Sequence, residues 1–168
     1  MEMEKPTVQE VLDELKLVPL VVEGGYFNEI YRSKMPSSNP SRCCGTSIYF
    51  LLDDKSVSRF HLLSGADEIW FYHAGSPAVQ ILLFPDGHWE KTIIGPDILK
   101  GQRPQSIIPA GTWQGAILLD KAPGSWGLFG AVCYPGFEYD DYTEKSAEEL
   151  FQKWPEAKQT IIDLGLNV

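Results

Sequence analysis

The chain predicts an all-β domain with short helices at both ends. Three observations carry this. Between residues about 26 and 140 the sequence is a succession of short runs rich in β-branched and aromatic residues, among them "YFNEIYRS", "SIYFLL", "EIWFYHAG", "AVQILLF" and "WGLFGAVCY". Turn residues separate these runs and no helical pattern intervenes, which is the signature of a sandwich or barrel. Helical periodicity occurs only outside this stretch. With 168 residues, 43% of them hydrophobic and 12% aromatic, the chain has the size and composition of one domain with a packed core. Residues 1–168 are therefore read as a single domain.

Each element follows from local chemistry. A helix is expected over residues 7–16. Thr7 and Glu10 have the spacing of a capping box, and Val8, Val11, Leu12 and Leu15 share one face. Gly24-Gly25 then breaks the helical segment. The stretch 34–45, "KMPSSNPSRCCG", is expected to be the most mobile loop. Asp86-Gly87 is a hairpin turn between "ILLFP" and "HWEKTII". Beyond about 140 the pattern returns to helix, over residues 146–164. Ser146 and Glu149 form a second capping box, Pro155 can start one more short helix, and Gly165 ends it.

Charge and cysteine content bound the partners. A net charge of −9 repels a phosphate backbone and argues against nucleic acid. It leaves room for a small anion held by a few arginines. Cys43, Cys44 and Cys133 are an odd set with an adjacent pair, so no disulfide framework is expected and a reducing compartment fits. The first residues, "MEMEKPTVQEVLDELK", are acidic and amphipathic, unlike a leader peptide. No apolar run is long enough for a membrane span. The expectation is a cytoplasmic protein with no membrane partner.

Strand alternation proposes a site. If Glu68 points into a barrel, Trp70 and Tyr72 follow it, because successive residues of a strand face opposite sides. On the preceding run Arg59, His61 and Leu63 share a face. On a later run Thr112, Gln114 and Ala116 do. One register therefore places Arg59, His61, Glu68, Trp70, Tyr72 and Gln114 around one interior. That mixture of polar and aromatic groups suits a small-molecule site. Trp70 and Tyr72 suit a ligand wall or ordinary core equally. Arg32 can grip a phosphate or form a surface ion pair with Glu29. Glu138 is a polar group for the barrel mouth or part of a solvated acidic turn. His73 and His88 are read as surface or interface residues.

These residues also carry a resemblance. His61, Glu68 and Gly75 fit the first motif of the cupin superfamily, His-x-His, then Glu, then Gly; the second His position falls on Leu63. Pro109, Gly111 and Gln114 fit the second motif, Pro-x-Gly-x-x-His, with Gln in place of His. Two of the four usual metal ligands are thus present and two are replaced. The phrases "EGGYFNEIYRS", "TSIYFLL", "DEIWFYHAG", "PQSIIPAGTWQGA" and "PGFEYDDY" occur in this order and resemble one cupin branch, uncharacterised and often labelled predicted sugar epimerase. The resemblance implies a double-stranded β-helix barrel, jelly-roll-like, and commonly a homodimer. One His, one Glu and one Gln are a poor ligand set, so no tightly held metal is expected; a weak divalent cation at His61 and Glu68 is compatible.

Two functions are open at this level. The first is a metal-independent epimerase or isomerase acting on a sugar phosphate or nucleotide-linked sugar. His61 would be the general base, Glu68 its support and Tyr72 the acid on the other side, with Arg32 or Arg59 offsetting charge and Trp70 stacking on the ligand. Gln114 would orient the ligand, and Glu138 would stand at the entrance. The second is a binding module for a nucleotide or sugar, without turnover.

Overall fold

The structure, a computed structural model, describes residues 5–168. Residues 1–4 of the expected domain lie outside the described residues. Among the described residues, eleven strands form two antiparallel sheets. In chain order they are β1 (Val18–Pro19), β2 (Tyr26–Arg32), β3 (Thr46–Asp53), β4 (Ser58–Leu63), β5 (Asp67–Gly75), β6 (Ala78–Leu83), β7 (Trp89–Ile94), β8 (Gln105–Ile108), β9 (Trp113–Leu118), β10 (Trp126–Tyr134) and β11 (Tyr142–Glu144). Three α-helices flank them, α1 (Val8–Glu14), α2 (Ala147–Phe151) and α3 (Lys158–Leu164). The large sheet runs β1-β2-β3-β10-β5-β8 and the smaller one β11-β4-β9-β6-β7.

The inner faces make one core. Phe50 and Leu52 of β3, Trp70 of β5 and Phe129 of β10 meet Leu82 of β6 and Leu118 of β9 across the two sheets. The C-terminal helices explain a second feature. Every residue of β6 and β9 is buried, because Leu150, Trp154 and Ile161 cover the outer face of the small sheet against Val79, Ile81 and Ile117. Strands buried on both faces read as nearly continuous apolar runs, as "AVQILL" does except at Gln80, whose oxygen accepts from Ser106. Helix α1 lays Val11 against Leu51 on the outer face of the large sheet.

Both expected capping boxes form, at Thr7 with Glu10 and at Ser146 with Glu149. The expected N-terminal helix is a little shorter than 7–16, and the C-terminal helical region is interrupted after Phe151. The strand region extends past the expected 26–140 on both sides. β1 and β11 are short edge strands defined by backbone pairing to β2 and β4, with no apolar pattern of their own. The 34–45 loop is better anchored than expected. Pro36 and Cys43 form a bridge, and Arg42 ties the loop to Asp141 at 2.6 Å and to the Gly136 carbonyl at 2.7 Å.

One irregularity positions the site. Against β9, Ser58 pairs with Ala116 and His61 with Gln114, so three residues of β4 span two of β9. The extra residue is a bulge. It lets Ser58 and His61 both face the barrel interior. Phe60 turns outward onto Gly115, where a Cβ would meet its ring at 3.1 Å.

Candidate functional site

The barrel opens into a pocket of about 590 Å³ of empty space, its open mouth included. Its base carries His61 and Glu68. Apolar groups such as Leu20, Phe27, Ile48 and Leu63 form the walls, and Phe137, Tyr139 and Tyr142 come from the segment after β10.

Glu68 is buried with two donors. Trp70 Nε1–H bonds Oε1 at 3.0 Å, and the Gln114 amide Nε2–H bonds Oε2. Burial pushes the Glu68 carboxyl up from its ordinary range, the His61 ring pulls it down, and Glu23 pushes it up again. The net shift is upward, toward the neutral acid. The amide oxygen of Gln114 is buried without a partner among the described residues.

His61 is 3% exposed. Its Nδ1 lies 2.7 Å from the Arg59 carbonyl. Backbone carbonyls only accept, so Nδ1 carries the hydrogen and Nε2 is the free nitrogen. Nε2 faces Glu23 Oε2 at 3.7 Å. The other Glu23 oxygen accepts from Ser58 Oγ at 2.6 Å. Tyr142 stacks on the imidazole with ring centroids 5.3 Å apart. Its hydroxyl bonds Glu144 at 2.7 Å, and burial first, then that bond, push the phenol well above its ordinary range. Cys133, also in the wall, is pushed up by burial and by Glu68.

The structure brings His61, Glu68 and Gln114 together, with Trp70 bonded beneath them. Trp70 lies in the core and contacts Phe50 and Phe129 rather than the pocket space. Four expected placements are corrected. Arg59 does not share the interior with His61; the bulge turns it outward, where it donates to the Val21 and Val22 carbonyls. Tyr72 does share a face with Glu68, but four residues on, about 13 Å along the strand. Its hydroxyl bonds the Gly75 carbonyl at 2.8 Å, away from the pocket. Arg32 stands at the rim without a free fork. Glu29 holds it at 2.9 Å and Glu138 at 3.0 Å, and the Phe137 carbonyl takes a further N–H. Glu138 is thus a partner of Arg32 and does not line the pocket.

Residue-level reading misses Glu23, Tyr139 and Tyr142. Glu23 reaches the site through the turn at Gly24 and Gly25, both with positive φ. A Cβ on Gly24 would lie 2.1 Å from the Val57 carbonyl oxygen, so only glycine lets this turn sit on the start of β4. An acidic residue beside two glycines was the available signal. Tyr142 depends on β11 pairing with β4, which places it opposite Leu63.

The metal expectation can be tested on the donors. The four positions of the resemblance hold His61, Leu63, Glu68 and Gln114. Leu63 supplies only hydrocarbon. Both Glu68 oxygens accept from protein donors, and Gln114 presents its NH₂ to Glu68. Among the described residues, no group of three His, Cys, Asp or Glu side chains is placed to hold a metal. The residues do not fit a tightly bound ion.

Comparison with known proteins adds the following. The family model described as Cupin superfamily (DUF985) matches residues 9–144. The chain is similar to the uncharacterized protein YML079W of Saccharomyces cerevisiae, 29% identical over 142 residues, or 76% of this chain and 70% of the relative. Protein SO0799 from Shewanella oneidensis superposes with a TM-score of 0.84 at 34% identity, over 95% of this chain and 98% of that one. A hypothetical protein from Leishmania major superposes with a TM-score of 0.83 at 27% identity, over 95% and 98% of the two chains.

Proposed function

The chain belongs to the cupin superfamily, in the family described as DUF985, and on that premise we propose that it binds a small carbonyl-bearing, sugar-like molecule and moves a proton on it, as an epimerase or isomerase. One observation carries this reading: His61 Nδ1 is committed to the Arg59 carbonyl, which leaves Nε2 as a proton acceptor aimed into the pocket beside Glu23.

Nε2 takes the proton from the carbon next to the substrate carbonyl. The Glu23 carboxylate stabilises the imidazolium so formed. Glu68, held toward its neutral form, can donate its O–H to the developing enolate oxygen, as a buried acid does. A proton then returns to carbon. Tyr139 supplies it for inversion, since it lines the pocket and its hydroxyl makes no hydrogen bond to the described residues. After turnover His61 holds one extra proton and Tyr139 lacks one; His61 releases its proton to solvent and the Tyr139 phenolate takes one back, so the protons balance and both groups are reset.

The phosphate of the expected sugar phosphate or nucleotide sugar finds no partner inside. Arg32 is held by two carboxylates and Arg59 faces outward. The geometry supports the sugar body only. A second reading, a binding module without turnover, is favoured by the apolar walls at Leu20, Val22, Phe27 and Ile48.

The test is proton exchange in deuterated water over a panel of keto and aldo sugars. Wild type should wash in deuterium next to the carbonyl, and His61→Ala should slow this by about 10²–10⁴-fold. Exchange untouched by His61→Ala removes the base. Binding without exchange on any compound establishes the binding module.

A further inference from the structure

The acidic side chains that line the pocket have no lining cation opposite them. Glu23, Glu29 and Glu68 line it beside His61, and among the described residues no lysine or arginine does. The arginines around it are engaged. Arg32 meets Glu29 and Glu138. Arg42 meets Asp141 and the Gly65 and Gly136 carbonyls. Arg59 meets the Val21 and Val22 carbonyls.

Glu23 differs from the other carboxylates. Glu29 is neutralised by Arg32, and both oxygens of Glu68 are bonded. Glu23 accepts one hydroxyl, from Ser58, and among the described residues its second oxygen has His61 Nε2 as its one polar neighbour, beyond hydrogen-bond distance at 3.7 Å. A carboxylate left half-satisfied against apolar walls is costly until a cation or donor reaches it. His61 Nε2, on a side chain 3% exposed, likewise makes no hydrogen bond among the described residues. Two unfilled polar atoms therefore face the same space.

The aromatic groups favour the same charge. Phe137 packs edge-on to Tyr139 with centroids 5.0 Å apart and to Tyr142 at 6.4 Å. Phe27 lines the same pocket. One face of Tyr142 is taken by His61; aromatic rings near a carboxylate with an unbonded oxygen attract an ammonium group, and such cages hold amines in other proteins.

We propose that this pocket selects a ligand bearing a protonated amine, seated between Glu23 and the Tyr139–Tyr142 aromatic surface. It discriminates against anionic analogues of the same body. The inference concerns the same site as the proton-transfer reading and narrows its substrate class to amino-bearing carbonyl compounds such as aminodeoxy sugars. It stands on binding alone.

The experiment is calorimetric or NMR binding with matched probes on two bodies. One set is glucosamine, glucose, N-acetylglucosamine and glucose 6-phosphate. The other is cyclohexylammonium, cyclohexanol and cyclohexyl phosphate. The ammonium member of each set should bind roughly tenfold or more tighter than its neutral member, and the phosphate weakest. Glu23→Gln keeps the acceptor for Ser58 and should erase the preference. Tyr139→Leu, at an exposed rim residue, should weaken the ammonium probes alone, and it serves if Glu23→Gln does not fold. Cyclohexylammonium binding no better than cyclohexanol overturns the proposal, whatever the exchange assay shows. Ammonium preference without any exchange supports the proposal and removes the proton-transfer reading.

Discussion

Gln114 donates its amide N–H to Glu68 across the barrel, from β9 of the small sheet to β5 of the large one. The bond joins a residue 1% exposed to one 8% exposed. Burial there shifts the Glu68 carboxyl upward from its ordinary value, against the pull of His61 and of the two donor bonds from Gln114 and Trp70.

This sets a pH dependence. Burial raises the folded Glu68 carboxyl above its ordinary value of 4.5, whereas the unfolded chain titrates near that value. Its contribution to stability is fully present below that ordinary value and is lost as pH rises through the raised folded value. Glu68→Gln removes the ionisation, and a flipped Gln114 can offer its unpartnered oxygen to the new amide. The variant should gain stability relative to wild type as pH rises upward from 4.5. Urea unfolding at several pH values checks this, and parallel curves for the two proteins would refute it.

Tyr72 should be silent in catalysis. Its hydroxyl bonds the Gly75 carbonyl at the far end of β5. Tyr72→Phe should leave deuterium exchange unchanged and cost about 1 kcal/mol of stability at most. Tyr139→Phe should behave differently, preserving exchange at the base while lowering the yield of inverted product about tenfold or more. Chiral product analysis separates the two steps.

Gly24→Ala should be strongly destabilising. Its φ is +104°, and the new Cβ would meet the Val57 carbonyl oxygen at 2.1 Å. Strain and contact together should cost about 3 kcal/mol. Gly111→Ala is the control, with φ of +79° and nothing within 4 Å of the added Cβ. It should cost only about 1 kcal/mol, from backbone conformation alone. Equal losses in chemical denaturation would show that the contact does not matter.

The two replaced ligand positions can be restored. Leu63→His with Gln114→His would add two imidazoles to His61 and Glu68. The double variant should bind cobalt with a visible absorption band, while either single variant should not at micromolar metal. Metal binding by wild type equal to that of the double variant would contradict the donor argument.

Periodicity in the sequence determined a good deal of this protein. Alternating apolar runs and turn residues defined the strands, and the Thr7–Glu10 and Ser146–Glu149 spacings set both helix starts. Motif spacing with alternation was enough to bring His61, Glu68 and Gln114 to one interior. Periodicity also predicted a shared face for Glu68 and Tyr72, but a face is not a depth, and their separation along β5 puts them in different surroundings. Only the tertiary structure decided the rest. The bulge opposite Gly115 exists because β4 and β9 must pair in a register that neither strand encodes alone, and it turns Arg59 out of the barrel. Glu23 reaches His61 because a glycine turn packs on the Val57 carbonyl, and Tyr142 because β11 finds the free edge of β4. Local pattern records which way a side chain points, because that depends on the backbone repeat. What stands opposite it depends on pairings between segments remote in sequence, and those form only when the two sheets close.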